Sequence, residues 1–125
     1  MHMMKILLVE DEGLVALYLK KLLIEHGFED VLIARNGEEA IIKVDESSPD
    51  LLLMDIRLGK GMSGIETVKQ INSNKNIPVI FITASTDEHT HREALTTNPL
   101  AILSKPIEPE ELNGLIDNYF SGYMN

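Results

Sequence analysis

The sequence contains no cysteine. Disulfides, zinc–thiolate sites and cysteine nucleophiles are therefore excluded, and a reducing compartment fits that absence. Basic residues are also scarce: 11 lysines and arginines stand against 20 aspartates and glutamates, a net charge of −9. A nucleic-acid binder needs a basic face to neutralise phosphates, so no direct contact with DNA or RNA is expected. Long apolar runs are missing as well. Stretches such as Ile6–Val9 and Val79–Ile82 fall far short of the about 20 residues that span a bilayer. No charged-then-apolar signal segment opens the chain. No Pro/Gly/Ser-rich linker, internal repeat or low-complexity stretch divides it. The opening Met1-His2-Met3-Met4 reads as a cloning scar over residues 1–3 ahead of a native methionine. The expectation is one cytoplasmic domain over residues 4–121, without membrane insertion.

What the sequence does contain is alternation. Met4-Lys5-Ile6-Leu7-Leu8-Val9 is a short branched run of the kind that forms a strand buried on both faces. Apolar residues at 14, 15, 17, 18, 19, 22 and 23 then give a helical face, and Gly27 stops it. Val31–Ile33 is a second strand. Asn36 with Glu39, and later Ser63 with Glu66, carry capping-box spacing at two helix starts. Leu51–Met54 leads into Asp55, Val79–Ile82 into Thr83, and Ala101–Leu103 towards Lys105-Pro106. A polar helix is expected from about Asp87 to Leu95, and Pro109 suits the first turn of a last one. Five strands alternating with five helices predict right-handed crossovers and a doubly wound five-stranded parallel sheet, an α/β fold of the flavodoxin-like type.

In such a sheet, ligands bind beyond the carboxyl ends of the strands. Those ends carry Glu10-Asp11-Glu12, Asp55, Thr83 and Lys105. Singly, each has an ordinary explanation as a cap, a strand former or a surface charge. Together they gather carboxylates that repel one another and need a cation to stay ionised. Oxygen ligands suit Mg²⁺ or another hard divalent ion. The charges then fit phosphoryl transfer, which needs an in-line nucleophile and cations about the moving oxygens. Asp55 is the candidate nucleophile, forming an acyl phosphate. Asp11 directly, Glu10 through a water, Asp55 itself and the backbone carbonyl of Arg57 are the candidate metal ligands. The Thr83 hydroxyl and the Lys105 ammonium are each directed to a phosphoryl oxygen. Lys105-Pro106 is a candidate cis peptide.

These residues resemble a known family. Ile6-Leu7-Leu8-Val9-Glu10-Asp11-Glu12, Leu52-Leu53-Met54-Asp55, Ile82-Thr83-Ala84 and Ser104-Lys105-Pro106 are similar, in order and spacing, to the motifs of response-regulator receiver domains. The resemblance runs from Met4 to about Tyr119. It implies a domain that takes a phosphoryl group from a sensor histidine kinase or a phosphotransfer protein. It also implies a surface, about His91, Arg92, Leu95, Ile102 and Glu110, that switches towards a downstream effector protein or effector domains beyond this chain. Three features depart from the family. The segment Asp55-Ile56-Arg57-Leu58-Gly59-Lys60-Gly61-Met62-Ser63-Gly64 lacks the usual proline and is one residue longer. The family's aromatic switch position falls on Ile102. Arg57 and Ser85 occupy positions that resemble its controllers of autodephosphorylation.

Other functions weigh less. An aspartate-nucleophile phosphatase of the haloacid dehalogenase type resembles Asp-x-Asp, but here the second position is Arg57, so the general acid is missing. A flavodoxin-type cofactor binder lacks its phosphate loop, and neither Gly-x-Gly-x-x-Gly nor a P-loop occurs. A receiver kept only as a phosphorylation-silent scaffold is opposed by intact Asp55, Thr83 and Lys105. His2, His26, His89 and His91 read as solvated side chains, because 89 and 91 do not share a helix face.

Overall fold

Runs that are apolar at every position leave no face for water, and they form the middle of the sheet. The computed structural model describes residues 4–84 and 87–121. Along the chain come β1 (Lys5–Val9), α1 (Gly13–Glu25), β2 (Asp30–Ala34), α2 (Gly37–Ser47), β3 (Leu51–Asp55), α3 (Gly64–Ile71), β4 (Val79–Thr83), α4 (Glu88–Leu95), β5 (Ala101–Ser104) and α5 (Pro109–Tyr119). The strands form one five-stranded sheet in the order β2-β1-β3-β4-β5, and every neighbouring pair is parallel. Inner strands β3 and β4 are buried throughout, whereas edge strand β5 is half-exposed over most of its length.

Side chains alternate across a strand, so the sheet sorts its residues into two cores. Ile6, Leu8, Leu51, Leu53, Ile80, Ile82 and Leu103 face one side with Leu19 and Leu23 of α1 and Leu112 and Ile116 of α5. Leu7, Val9, Leu52, Met54, Val79 and Phe81 face the other with Ala40 and Val44 of α2, Ile65 and Val68 of α3, and Ala94 of α4. Truncating a fully buried leucine in such a core to alanine costs about 2–5 kcal/mol. The two-sided cover is the doubly wound fold that the alternation of runs predicts.

Local signals account for the helix starts. At α3 the capping box closes in both directions, with Ser63 Oγ accepting from the Glu66 N–H at 3.1 Å and Glu66 Oε1 accepting from the Ser63 N–H at 3.2 Å. At α2 only half of it forms. Asn36 Oδ1 accepts from the Glu39 N–H at 2.8 Å, but the Glu39 carboxylate misses the Asn36 N–H, accepting instead from the Arg35 N–H at 3.4 Å and pairing with Lys43 at 3.1 Å.

Two expectations require correction. The apolar face assigned to α1 is split: Ala16, Leu19 and Leu23 are buried, while Leu14 is 84% exposed and Leu17 61% exposed. A helix against one side of a sheet buries a single stripe, and this sequence carries more apolar residues than the stripe uses. His26 is not simply solvated. Its Nε2 lies 2.9 Å from both carboxylate oxygens of Asp117, tying the end of α1 to α5. His89 and His91 are exposed on α4 as expected, and residues 1–3 lie outside the described residues.

Candidate functional site

Strand register brings the polar residues together. Val9 pairs with Met54, so the next residue, Glu10, lies beside Asp55. Asp55 pairs with Ile82, and Thr83 follows. Thr83 pairs with Ser104, and Lys105 follows, its N–H donating to the Thr83 carbonyl at 2.9 Å. Continuing the alternation, Glu10, Asp55 and Lys105 share the parity of Leu8, Leu53 and Leu103. They turn to the α1–α5 side, whereas Thr83 keeps the parity of Phe81.

The Lys105 ammonium sits between two acids, donating to Glu10 Oε1 at 2.8 Å and to Asp55 Oδ2 at 3.1 Å. Glu10 is only 1% exposed and Asp55 5%. Glu10 Oε2 also accepts from the Glu12 N–H at 3.1 Å, and Asp55 Oδ1 from the Arg57 N–H at 3.2 Å. Burial pushes the Asp55 carboxyl up, the Glu10 charge pushes it further, and Lys105 only partly opposes them, leaving it at about 6. Glu10 goes the other way: burial pushes it up, but hydrogen bonds from Lys105 and the Glu12 N–H outweigh this and hold it low. For Lys105, burial disfavours the charge, yet its bonds to Glu10 and Asp55 win and raise it. The ammonium is thus fixed, and Asp55 is the carboxyl poised to change state.

Asp11 completes an acidic trio. One oxygen each from Glu10, Asp11 and Asp55 lies within 4.8 Å of the others. Three carboxylates against the single Lys105 ammonium leave a formal excess of two negative charges. That excess, offered entirely through oxygens, fits a hard divalent cation.

The remaining expected residues are less concentrated. Arg57 is exposed, and among the described residues its guanidinium makes no ion pair; its main chain, not its side chain, reaches Asp55. Ile102 is half-buried in β5 opposite Phe81, on the α4 side. Ser85 lies outside the described residues. The Lys105-Pro106 bond is cis. Sequence reasoning missed the direct Glu10–Lys105 pair and the part played by Gly64. The Gly64 N–H donates to the Ile56 carbonyl at 2.7 Å, and a Cβ there would collide with the Asp55 carbonyl. The glycine directly after the Ser63 cap was the signal for that close approach.

Residues 6–117, nearly the whole chain, match the family described as the response regulator receiver domain. The chain belongs to that family. Among curated relatives, this receiver domain is 34% identical over 113 residues to the alkaline phosphatase synthesis transcriptional regulatory protein PhoP of Bacillus subtilis, covering 90% of this chain and 46% of that protein. The receiver thus spans less than half the length of that relative. Among solved structures it is similar to the signal receiver domain of a modulated diguanylate cyclase from Desulfovibrio desulfuricans, with a TM-score of 0.88, 32% identity and 98% of each chain covered. A CheY-like receiver domain from Methanospirillum hungatei superposes with a TM-score of 0.88 at 23% identity, over 98% of each chain, which bears on the fold alone. No helix among the described residues is long and apolar enough to cross a membrane.

Proposed function

We propose that residues 4–121 are a working phospho-accepting receiver in which Asp55 takes the phosphoryl group. The observation that carries this reading is the half-buried Lys105 ammonium held 2.8 Å from Glu10 and 3.1 Å from Asp55, with Asp11 in the same acidic trio. An Asp55 oxygen attacks phosphorus, the P–N bond of a phosphohistidine on the donor breaks, and the freed imidazole keeps the electron pair. Hydrolysis later breaks the acyl phosphate, returning Asp55 and inorganic phosphate. Lys105 has a fixed charge already within reach of the acceptor oxygen, so it stabilises charge on the transferring group without rearranging the fold. Thr83, at the neighbouring strand end, offers its hydroxyl to another phosphoryl oxygen. Glu10, Asp11, Asp55 and the Arg57 backbone carbonyl would hold Mg²⁺, which supplies positive charge to the phosphoryl oxygens when bound.

The partners follow from that chemistry. Receiver domains of response regulators work with histidine kinases and effector domains, and the donor here is a sensor histidine kinase or phosphotransfer protein. Its reactive imidazole must reach the strand ends, so its body covers surface beside Lys105. Leu14, Tyr18 and Pro106 line an apolar groove of about 460 Å³ there. The output face is α4, β5 and α5, with the effector on another protein or in a region outside this chain. The net charge of −9 supports a domain that does not itself hold nucleic acid, and the absence of a membrane-crossing helix among the described residues supports a cytoplasmic one. The domain is a signalling switch that catalyses only its own phosphorylation and dephosphorylation.

The test is incubation with acetyl phosphate and Mg²⁺ followed by intact mass measurement. A phosphate adduct is expected on the wild type and none on Asp55→Asn. An unmodified wild type would leave a silent scaffold, and turnover of free phosphoesters would favour a phosphatase.

A further inference from the structure

Of the three clustered carboxylates, two are held by hydrogen bonds and one is not. Glu10 is fixed by Lys105 and the Glu12 N–H, and Asp55 by Lys105 and the Arg57 N–H. Asp11 is exposed and has no hydrogen bond or ion pair among the described residues. Something else must limit its rotamers if it is to stay with the other two. The feature against it is the main chain of Gly59, in the longer, proline-free loop after β3. Gly59 has φ +72°, and a Cβ built there would lie 3.2 Å from Asp11 Oδ2. The carboxylate therefore occupies space that a side chain at 59 would crowd.

We propose that Gly59 is a positioning residue for the divalent cation: the lack of a side chain there leaves the Asp11 carboxylate the space it occupies in the acidic trio. A side chain at 59 displaces that carboxylate from the position in which it joins Glu10 and Asp55, and cation affinity falls. This rests on the reading of the trio as the Mg²⁺ site. The same loop supplies its own control. Gly61 has φ +87°, and its Cβ would lie 3.0 Å from Glu38 Oε2, a carboxylate outside the trio. Alanine at 61 therefore meets comparable backbone strain and a comparable clash, but not with a cation ligand.

The experiment is Mg²⁺ titration of the unphosphorylated chain by calorimetry, with circular dichroism to check folding. The Gly59→Ala variant is expected to weaken Mg²⁺ binding about tenfold, the scale on which groups orienting metal ligands act. The Gly61→Ala variant stays within about twofold of wild type. Asparagine tolerates a left-handed backbone better than alanine while still carrying a Cβ, so Gly59→Asn reproduces the loss where Gly59→Ala folds poorly. Equal losses at 59 and 61, or wild-type affinity in a folded Gly59 variant, overturn the proposal. The Asp11→Asn variant separates the two levels of argument. If it binds Mg²⁺ as well as wild type, the trio is not the cation site; if it loses binding while Gly59→Ala does not, only the role of Gly59 falls.

Discussion

On the α1–α5 side of the acceptor edge, Glu10, Asp55 and Lys105 are joined by contacts of 2.8 and 3.1 Å, beside helices that bury Ala16, Leu19 and Leu23 and Leu112 and Ile116. On the α4 side, where strand parity places Thr83 and Ile102, the helix buries Ala94 alone. A buried alanine methyl contributes far less than a buried leucine, so α4 is the more weakly fastened element. The difference separates two tasks. Under the proposed function, the first half is charge fixed in advance for transfer, and the second is packing that is cheap to displace for a switch.

The strongest test of the fixed half is to remove its cation. In Lys105→Ala, Glu10 and Asp55 remain buried together with no counter-charge. A loss of about 3–5 kcal/mol is expected for a broken buried pair, read by urea denaturation at pH 7 without divalent ions. A loss below about 1 kcal/mol, the range of exposed pairs, would mean that this half is not held by its charges.

Titration sharpens the same point. The Asp55 carboxyl is raised from an ordinary 3.8 to about 6, so the folded state binds its proton more tightly than the unfolded chain. The stabilising contribution is complete below pH 3.8 and is lost as pH rises through about 6. The Asp55→Asn variant cannot ionise there. Without divalent ions it should exceed wild type by about 2–3 kcal/mol at pH 8, with the gap closing towards pH 4. A gap independent of pH would contradict the raised carboxyl.

The contrast between the halves also explains what the sequence made legible. Strand runs such as Leu51–Met54 are apolar on both faces, a pattern that states the fold directly, and the carboxyl-end rule then led to Asp11, Asp55, Thr83 and Lys105. Direct contact between Lys105 and Glu10 was not readable. It depends on the register of β1 with β3 and of β4 with β5, which no local pattern encodes. The α1 face was misread for a related reason, since helical period alone does not say how wide a stripe the sheet will cover. Leu14 and Leu17 match the period and stay exposed. His26 looked solvated because its partner, Asp117, is 91 residues away.

The weak half is tested by overfilling its one anchor. Ala94 is fully buried, and Ala94→Leu should cost about 1–3 kcal/mol. If α4 is the loosely held element, faster amide hydrogen exchange should be confined to it, leaving β3 and α1 protected. Exchange that rises equally across the sheet would show α4 to be as integral as α1, and the comparison would fail.

The smallest effect is expected at the boundary between the halves. The Arg57 main chain donates to Asp55 at 3.2 Å, while its guanidinium is exposed and makes no ion pair among the described residues. Under the proposed function, a phosphoryl group on Asp55 would give this exposed cation, two residues further on, a new partner. Its charge would then pair with a phosphoryl oxygen and restrain attack by water. Exposed pairs contribute about 1 kcal/mol or less, so Arg57→Ala should shorten the acyl-phosphate half-life by about fivefold at most. The stability of the unphosphorylated chain should stay unchanged. Decay of the acetyl-phosphate-generated adduct, followed by intact mass, measures the first, and urea denaturation the second. An unchanged lifetime removes the side chain from the mechanism and leaves only its backbone there. A changed stability with an unchanged lifetime would make Arg57 part of the fixed half instead.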